Sequence, residues 1–168
     1  MAYDARVVAN FFIEIAWREQ NSLTHLSLQK ILFFAHAWHL GKFDQPLVGQ
    51  KFEAWQYGPV IRVVYDQLKV CGKKPIDRVL KKLDPASGEW ITPTELFSSE
   101  EKSFLYELFQ YYSKFHAGTL VDLTHTKSGP WDKVWNMSVD NVVPGMIIPD
   151  KDIKLWILRG GGREVITH

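Results

Sequence analysis

Two histidines three residues apart, His36 and His39, are the best candidates in this chain for holding a metal ion. Residues at that spacing share one face of a helix, and imidazole nitrogen suits zinc. A site needs one or two further ligands, and no sequence-adjacent Cys, Asp or Glu supplies them. His36 also lies inside the apolar run 31–38, where a hydrogen-bonded core histidine is the ordinary outcome, so neither a metal nor another cofactor is expected. Cys71 sits among Lys69, Lys73 and Lys74, whose charges favour a thiolate. It falls at the C-terminal end of a predicted helix, where the dipole has the wrong sign for that. Gly160, Gly161 and Gly162 lack the preceding strand and the following Lys-Ser or helix pattern of a phosphate loop, and read as a helix stop. Gly58-Pro59 at a helix start could cradle an anion, but Pro59 removes one donor and a tight turn is the plainer reading. No Ser-His-Asp signature, Walker motif, HExxH or paired-carboxylate pattern appears. The residues therefore argue for a binding module and against an enzyme.

Charge narrows the partner. The net charge is +1, so no global field points to nucleic acid. Residues 69–82 are locally basic, with Lys69, Lys73, Lys74, Arg78, Lys81 and Lys82 against Asp77. Such a stretch reads as a solvated loop or as a face for an acidic partner. Nucleic acid is the weaker functional reading, because no recognisable nucleic-acid-binding motif accompanies the patch. Aromatic residues make up 14% of the chain, with seven Trp, and part of that surface is available for interfaces. The single cysteine excludes an intramolecular disulfide and fits a reducing compartment. No basic leader followed by an apolar core opens the chain, and no apolar run approaches the roughly 18 residues of a membrane span. The expectation is a soluble, cytoplasmic protein without membrane partners.

The elements that must position these residues are mostly helical. At 168 residues the chain is expected to form one domain over 1–168, with residues 160–168 as a tail. Asp4 reads as the N-cap of a first helix to about residue 20. Ser27 reads as the cap of a second over 27–40, apolar on nearly every side and therefore central, with Gly41 at its C′ position. Residues 50–57 alternate loosely and read as extended. Pro59 suits the first turn of a third helix that Gly72 ends. Residues 73–94 read as a surface insertion with turns at Lys74-Pro75 and over 84–88, and 76–83 and 90–91 as short strands or a half-helix. Ser98 and Glu101 form a capping box opening a strong helix to about His116. Shorter helices follow over about 118–125 and from Pro130, then a loop over 142–148, and a last helix from Asp150 to about Arg159. The fold class is mainly α, a compact helical domain with room for a small β-hairpin near residues 50–57 and 76–92.

Three segments, in order, resemble the SocA-like antitoxin domain, also called Panacea and related to phage-associated GepA proteins. They are residues 28–37 (LQKILFFAHA), then residues 52–60 (FEAWQYGPV) followed by Val64-Tyr65, then Leu123-Thr124-His125 followed by Gly129-Pro130-Trp131. The resemblance covers about residues 5–157. It implies a mainly helical domain that neutralises a cognate protein toxin, encoded beside it, by direct binding or by delivering it to a protease. Some members of that family carry an added DNA-binding region; with no room for one before the first helix of this sequence, DNA autoregulation is not expected. The family brings no catalytic constellation. The matching residues Lys30, His36, Trp55, Gly58, Pro59, Tyr65, His125, Pro130 and Trp131 read as scaffold. Gly58 and Pro59 set a turn, the aromatics pack it, and Lys30 pairs across the core or caps a loop carbonyl. Contact with the toxin is expected from Trp55, Tyr57, Lys73, Lys74, Lys81 and Lys82. The alternative is a nucleic-acid-associated regulator of a mobile element. A homo-oligomer is compatible with either.

Overall fold

The computed structural model describes residues 2–140 and 144–163. Its helices are α1 (Ala5–Arg18), α2 (His25–Phe43), α3 (Arg62–Leu68), α4 (Ser99–Tyr112), α5 (Ala117–Thr124), α6 (Pro130–Asp140) and α7 (Asp150–Leu158). Two antiparallel hairpins complete it: β1 (Glu53–Trp55) with β2 (Gly58–Val60), and β3 (Lys82–Leu83) with β4 (Trp90–Ile91). The fold is mainly α, and the hairpin expectation resolves into two separate small ones.

Helix α2 is the axis. Leu28, Ile31, Leu32, Phe33, Phe34 and Ala35 are all fully buried. A helix apolar all round must be enclosed, and α1, α3, α4, α5, α7 and β2 pack around it. It starts earlier than its sequence pattern indicated. Thr24 is the N-cap, accepting from Ser27 N–H at 3.3 Å, and Ser27 lies inside the first turn. Two hydroxyl residues stand three apart, and the first wins because His25 and Leu26 pack as helix. Gly41 is also inside α2 rather than past its end, and Asp44 takes the left-handed C-cap at φ +56°. Gly41 is where α7 comes close: a Cβ there would lie 2.9 Å from Ile157 Cγ2.

Other ends follow local chemistry. Asp4 caps α1, and Ser98 caps α4 by accepting from Glu101 N–H at 3.1 Å. The capping box is only half made, because the Glu101 carboxylate accepts from the Tyr3 hydroxyl. Helix α4 stops at Tyr112, four residues short of His116, which instead stands at the N-cap of α5. Pro59 is not in a helical first turn. It lies in β2, and α3 begins at Arg62 because Ile61 stays extended. Gly72 ends the 3-10 turn that continues α3 over Lys69–Cys71. Helix α7 closes in a Schellman motif, with Gly161 N–H on Trp156 O at 2.9 Å and Gly160 N–H on Ile157 O at 3.2 Å. The glycines do more than end it: Gly161 packs on the Trp156 ring, and Gly162 O accepts from the Tyr112 hydroxyl at 2.5 Å. The rest of the expected tail, 164–168, and residues 142–143 of the expected loop lie outside the described residues.

Segments without regular structure are tied down by side-chain amides that imitate a neighbouring strand. Asn10 donates to Leu80 O at 3.0 Å and accepts from Leu80 N–H at 2.8 Å. Gln29 does the same to Ile61, at 3.1 and 2.9 Å. Gln67 does it to Lys81, at 2.8 Å both ways. Each amide satisfies both polar groups of one residue in a stretch that no ladder reaches. Asn10 and Gln29 are themselves buried, so these bonds could not be exchanged for water.

Candidate functional site

The motif residues other than His36 converge around the first hairpin. Strand pairing is Glu53 with Val60, Ala54 with Pro59 and Trp55 with Gly58, which leaves Gln56 and Tyr57 at the tip. Gly58 takes φ +107°, a region open to glycine and strained for other residues. Space demands glycine as well, since a Cβ would lie 2.7 Å from Thr124 Oγ1 and 2.8 Å from Lys30 Cε. Lys30 rises from α2 beneath this turn and donates to Pro59 O at 2.8 Å. The lysine is fully buried, with no carboxylate among its described partners. Burial of the ammonium drives its pKa down from 10.5 to about 7.

The other wall is aromatic. Trp131, in the first turn of α6 behind Pro130, donates its indole N–H to Trp55 O at 2.8 Å. His125 stacks on Trp131 with centroids 3.7 Å apart and planes 10° from parallel, and Trp135 stacks on Trp131 at 5.5 Å. Trp55 meets Tyr65 edge-on at 4.7 Å. The Arg62 guanidinium lies 5.2 Å over the Trp55 ring, and Glu53 holds it at 2.8 and 3.1 Å. Two imidazole nitrogens here, His25 Nδ1 and His125 Nε2, are buried without a hydrogen-bond partner among the described residues. Burial lowers the pKa of both rings, and the nearby Lys30 charge adds to it; around His125, Asp122 and Asp132 pull the other way.

Above the hairpin lies a cavity of about 720 Å³. Leu26, Trp55, Val60 and Tyr65 give it apolar walls, and Tyr57 and Lys73 stand at its edge. Tyr57 is 60% exposed, which is high for a residue of its size. The expected contact residues thus divide. Trp55, Tyr57 and Lys73 line one cavity, with Lys74 next in sequence. Lys81 and Lys82 do not line it: Lys81 Nζ donates to Thr92 Oγ1 at 2.9 Å, and Lys82 Nζ lies 3.9 Å from Asp4. His25, Leu26 and Gln29 belong to the site and were not singled out from sequence. The signal for His25 and Leu26 was the earlier N-cap at Thr24, which brings them into α2.

His36 lies elsewhere. Its Nε2 is 2.8 Å from Asp150 Oδ1 at the start of α7, and its Nδ1 accepts from Val48 N–H at 3.3 Å. His39 Nδ1 is 2.6 Å from Gln45 O. The two rings therefore serve separate backbone and carboxylate partners and do not converge. Cys71 is buried, with its Sγ 3.6 Å from Asp77 Oδ1.

Comparison with known sequences sets these features in a family. The family model described as "Antitoxin SocA-like, Panacea domain" matches residues 28–132. This span holds α2 from Leu28 onward, the first hairpin, His125 and Trp131. The chain belongs to the SocA-like, Panacea-domain family of antitoxins. It is also 36% identical over 152 residues to "Antitoxin SocA" of Caulobacter vibrioides (strain NA1000 / CB15N), covering 90% of this chain and 80% of that one. No solved structure matches it. Among the described residues, no helix is long and apolar enough to cross a membrane. In this Panacea domain the family-matched span carries the buried Lys30–Pro59 contact and most of the cavity above it, whose wall is completed by Thr24, His25 and Leu26 just before the span.

Proposed function

We propose that this chain is the antitoxin of a toxin–antitoxin pair and neutralises its toxin by binding it directly, without catalysis. The observation that carries the reading is the apolar cavity at Trp55, Tyr57 and Tyr65, built inside a domain whose relatives are antitoxins. Interface cores favour such aromatic anchors. The polar side chains beneath it support binding rather than turnover: Lys30, Trp131 and Gln29 each spend their hydrogen bonds on backbone atoms. On this reading Gly58, Pro59, His125 and Pro130 serve as scaffold that holds the corner from below. The basic stretch 69–82 gives little support to a nucleic-acid reading. Lys69 pairs with Asp66 at 3.7 Å, Arg78 with Asp77 at 2.7 Å, and Lys81 and Lys82 are engaged as described.

The test is growth of cells expressing the adjacent gene alone and together with this chain. Toxicity of the neighbour, rescue by this chain and co-purification of the two are expected. A toxic neighbour that this chain does not rescue, or rescue without a complex, would overturn direct neutralisation. Rescue that requires an intact cellular protease would replace blocking by delivery.

A further inference from the structure

The hairpin corner is closed below and open above. Its volume, about 720 Å³, lies within the range of sites that seat a bulky ligand group, roughly 300–1,000 Å³. Among the described residues, none lining it is acidic. Lys73 lies in the lining, and neither Lys73 nor Lys74 makes a side-chain hydrogen bond or ion pair among the described residues. Arg62 and Lys69 stand over the rings of Trp55 and Tyr65 but are already matched by Glu53 and Asp66. Ala117, in the first turn of α5, also lines the cavity, and that helix has no side-chain cap, so its positive end adds to the field there. A second cavity of about 480 Å³, beside Tyr3 and His39, is rimmed instead by Glu95, Glu100 and Glu101.

Resting on the antitoxin reading, we propose that the cavity receives an aromatic side chain of the toxin that is flanked by carboxylates. The ring packs against the exposed Tyr57, beside the edge-on pair of Trp55 and Tyr65. The flanking acids face Lys73 and Lys74. His25, at the start of α2, forms part of the cavity wall beside the entering ring.

The probe is a capped glutamate-tryptophan-glutamate tripeptide, titrated into the full chain and followed by amide NMR shifts. Controls are the lysine-tryptophan-lysine and glutamate-alanine-glutamate peptides. Saturable shifts at His25, Tyr57, Tyr65 and Lys73 are expected, with at least tenfold weaker binding of both controls. Lys73→Glu combined with Lys74→Glu should reverse the charge preference, and Tyr57→Ala should weaken binding of the acidic peptide; these exposed positions leave the fold intact. Absence of shifts at the cavity, or equal binding of the acidic and basic peptides, overturns the proposal. The same variants are then tested for rescue from the neighbouring toxin. Full rescue by variants that have lost the peptide overturns the cavity as the toxin's seat while leaving the antitoxin reading in place. Peptide binding in a chain that rescues no neighbour refutes the antitoxin reading instead, and with it the claim that the acidic segment belongs to a toxin.

Discussion

Lys30 makes the stability of this domain depend on pH in an unusual direction. The unfolded lysine holds its proton up to about pH 10.5, whereas the folded one releases it near 7. Between those values the unfolded chain binds more protons than the folded chain, so stability rises with pH across the window. The difference spans three and a half pH units at about 1.4 kcal/mol each, or about 5 kcal/mol in all. Below pH 7 both states are protonated and the whole penalty is present. Above 10.5 it is gone. Lys30→Met retains most of the length and volume while removing the charge. It also leaves Pro59 O without its donor, which costs about 2 kcal/mol. The variant should therefore be more stable than the natural chain by about 3 kcal/mol at pH 6, with the two curves crossing at about pH 9. Urea unfolding at pH 6, 7, 8 and 9 reads this out, since other titrating groups cancel in the difference. Lys30→Arg, which cannot discharge, should lose stability at every pH in the series. Parallel pH profiles for the natural chain and Lys30→Met would refute the reasoning, because they would mean that the buried amine keeps its proton at no expense to the fold.

Two further substitutions test the same logic of burial. Asn10→Ala strips both polar groups of Leu80 of their partner in the core and should cost about 3 kcal/mol, whereas Gln67→Ala breaks the same two-bond clamp on exposed Lys81 and should cost under about 1 kcal/mol. Chemical denaturation compares them, and equal losses would show that burial does not set the value of these clamps. Gly58→Ala places a Cβ against Thr124 and Lys30 at a φ of +107° and should lower stability by about 2 kcal/mol or more, read as a fall in Tm; an unchanged Tm would mean that the turn has room to relax.

What the sequence made legible was local. Asp4, Ser98 and Pro130 sit where their chemistry places them, because a cap or a first-turn proline is decided within one helical turn. The apolar surface of α2 likewise announced a buried helix. The misplacements are tertiary. Gly41 looks like a terminator and is instead a contact surface for Ile157, which is 116 positions away. Pro59 looks like a helix opener and is held in a strand by Lys30 from below, through a carbonyl that no sequence pattern marks. The amide clamps of Asn10 and Gln29 were invisible because polar residues inside amphipathic helices carry no periodic signal of what they bond. In the site, the resemblance singled out Lys30, Trp55 and Trp131. The cavity itself joins the start of α2, the hairpin, α3, the Gly72-Lys73 turn and α5, and no one of these segments predicts a concavity.

The arrangement separates what fixes the corner from what the corner presents. Its buried polar contacts end on backbone atoms: Lys30 on Pro59 O, Trp131 on Trp55 O, and Gln29 on both groups of Ile61. A contact to a carbonyl is indifferent to which side chain that residue bears. Gln56 and Tyr57 at the tip, and Lys73 across from them, make none of these contacts. They can therefore differ without loosening the hairpin, while Gly58 cannot, since its Cα is what Lys30 and Thr124 pack against. A partner-binding surface built this way changes its specificity at the rim and keeps its geometry from the core, so the residues that identify the family and the residues that choose the toxin need not be the same.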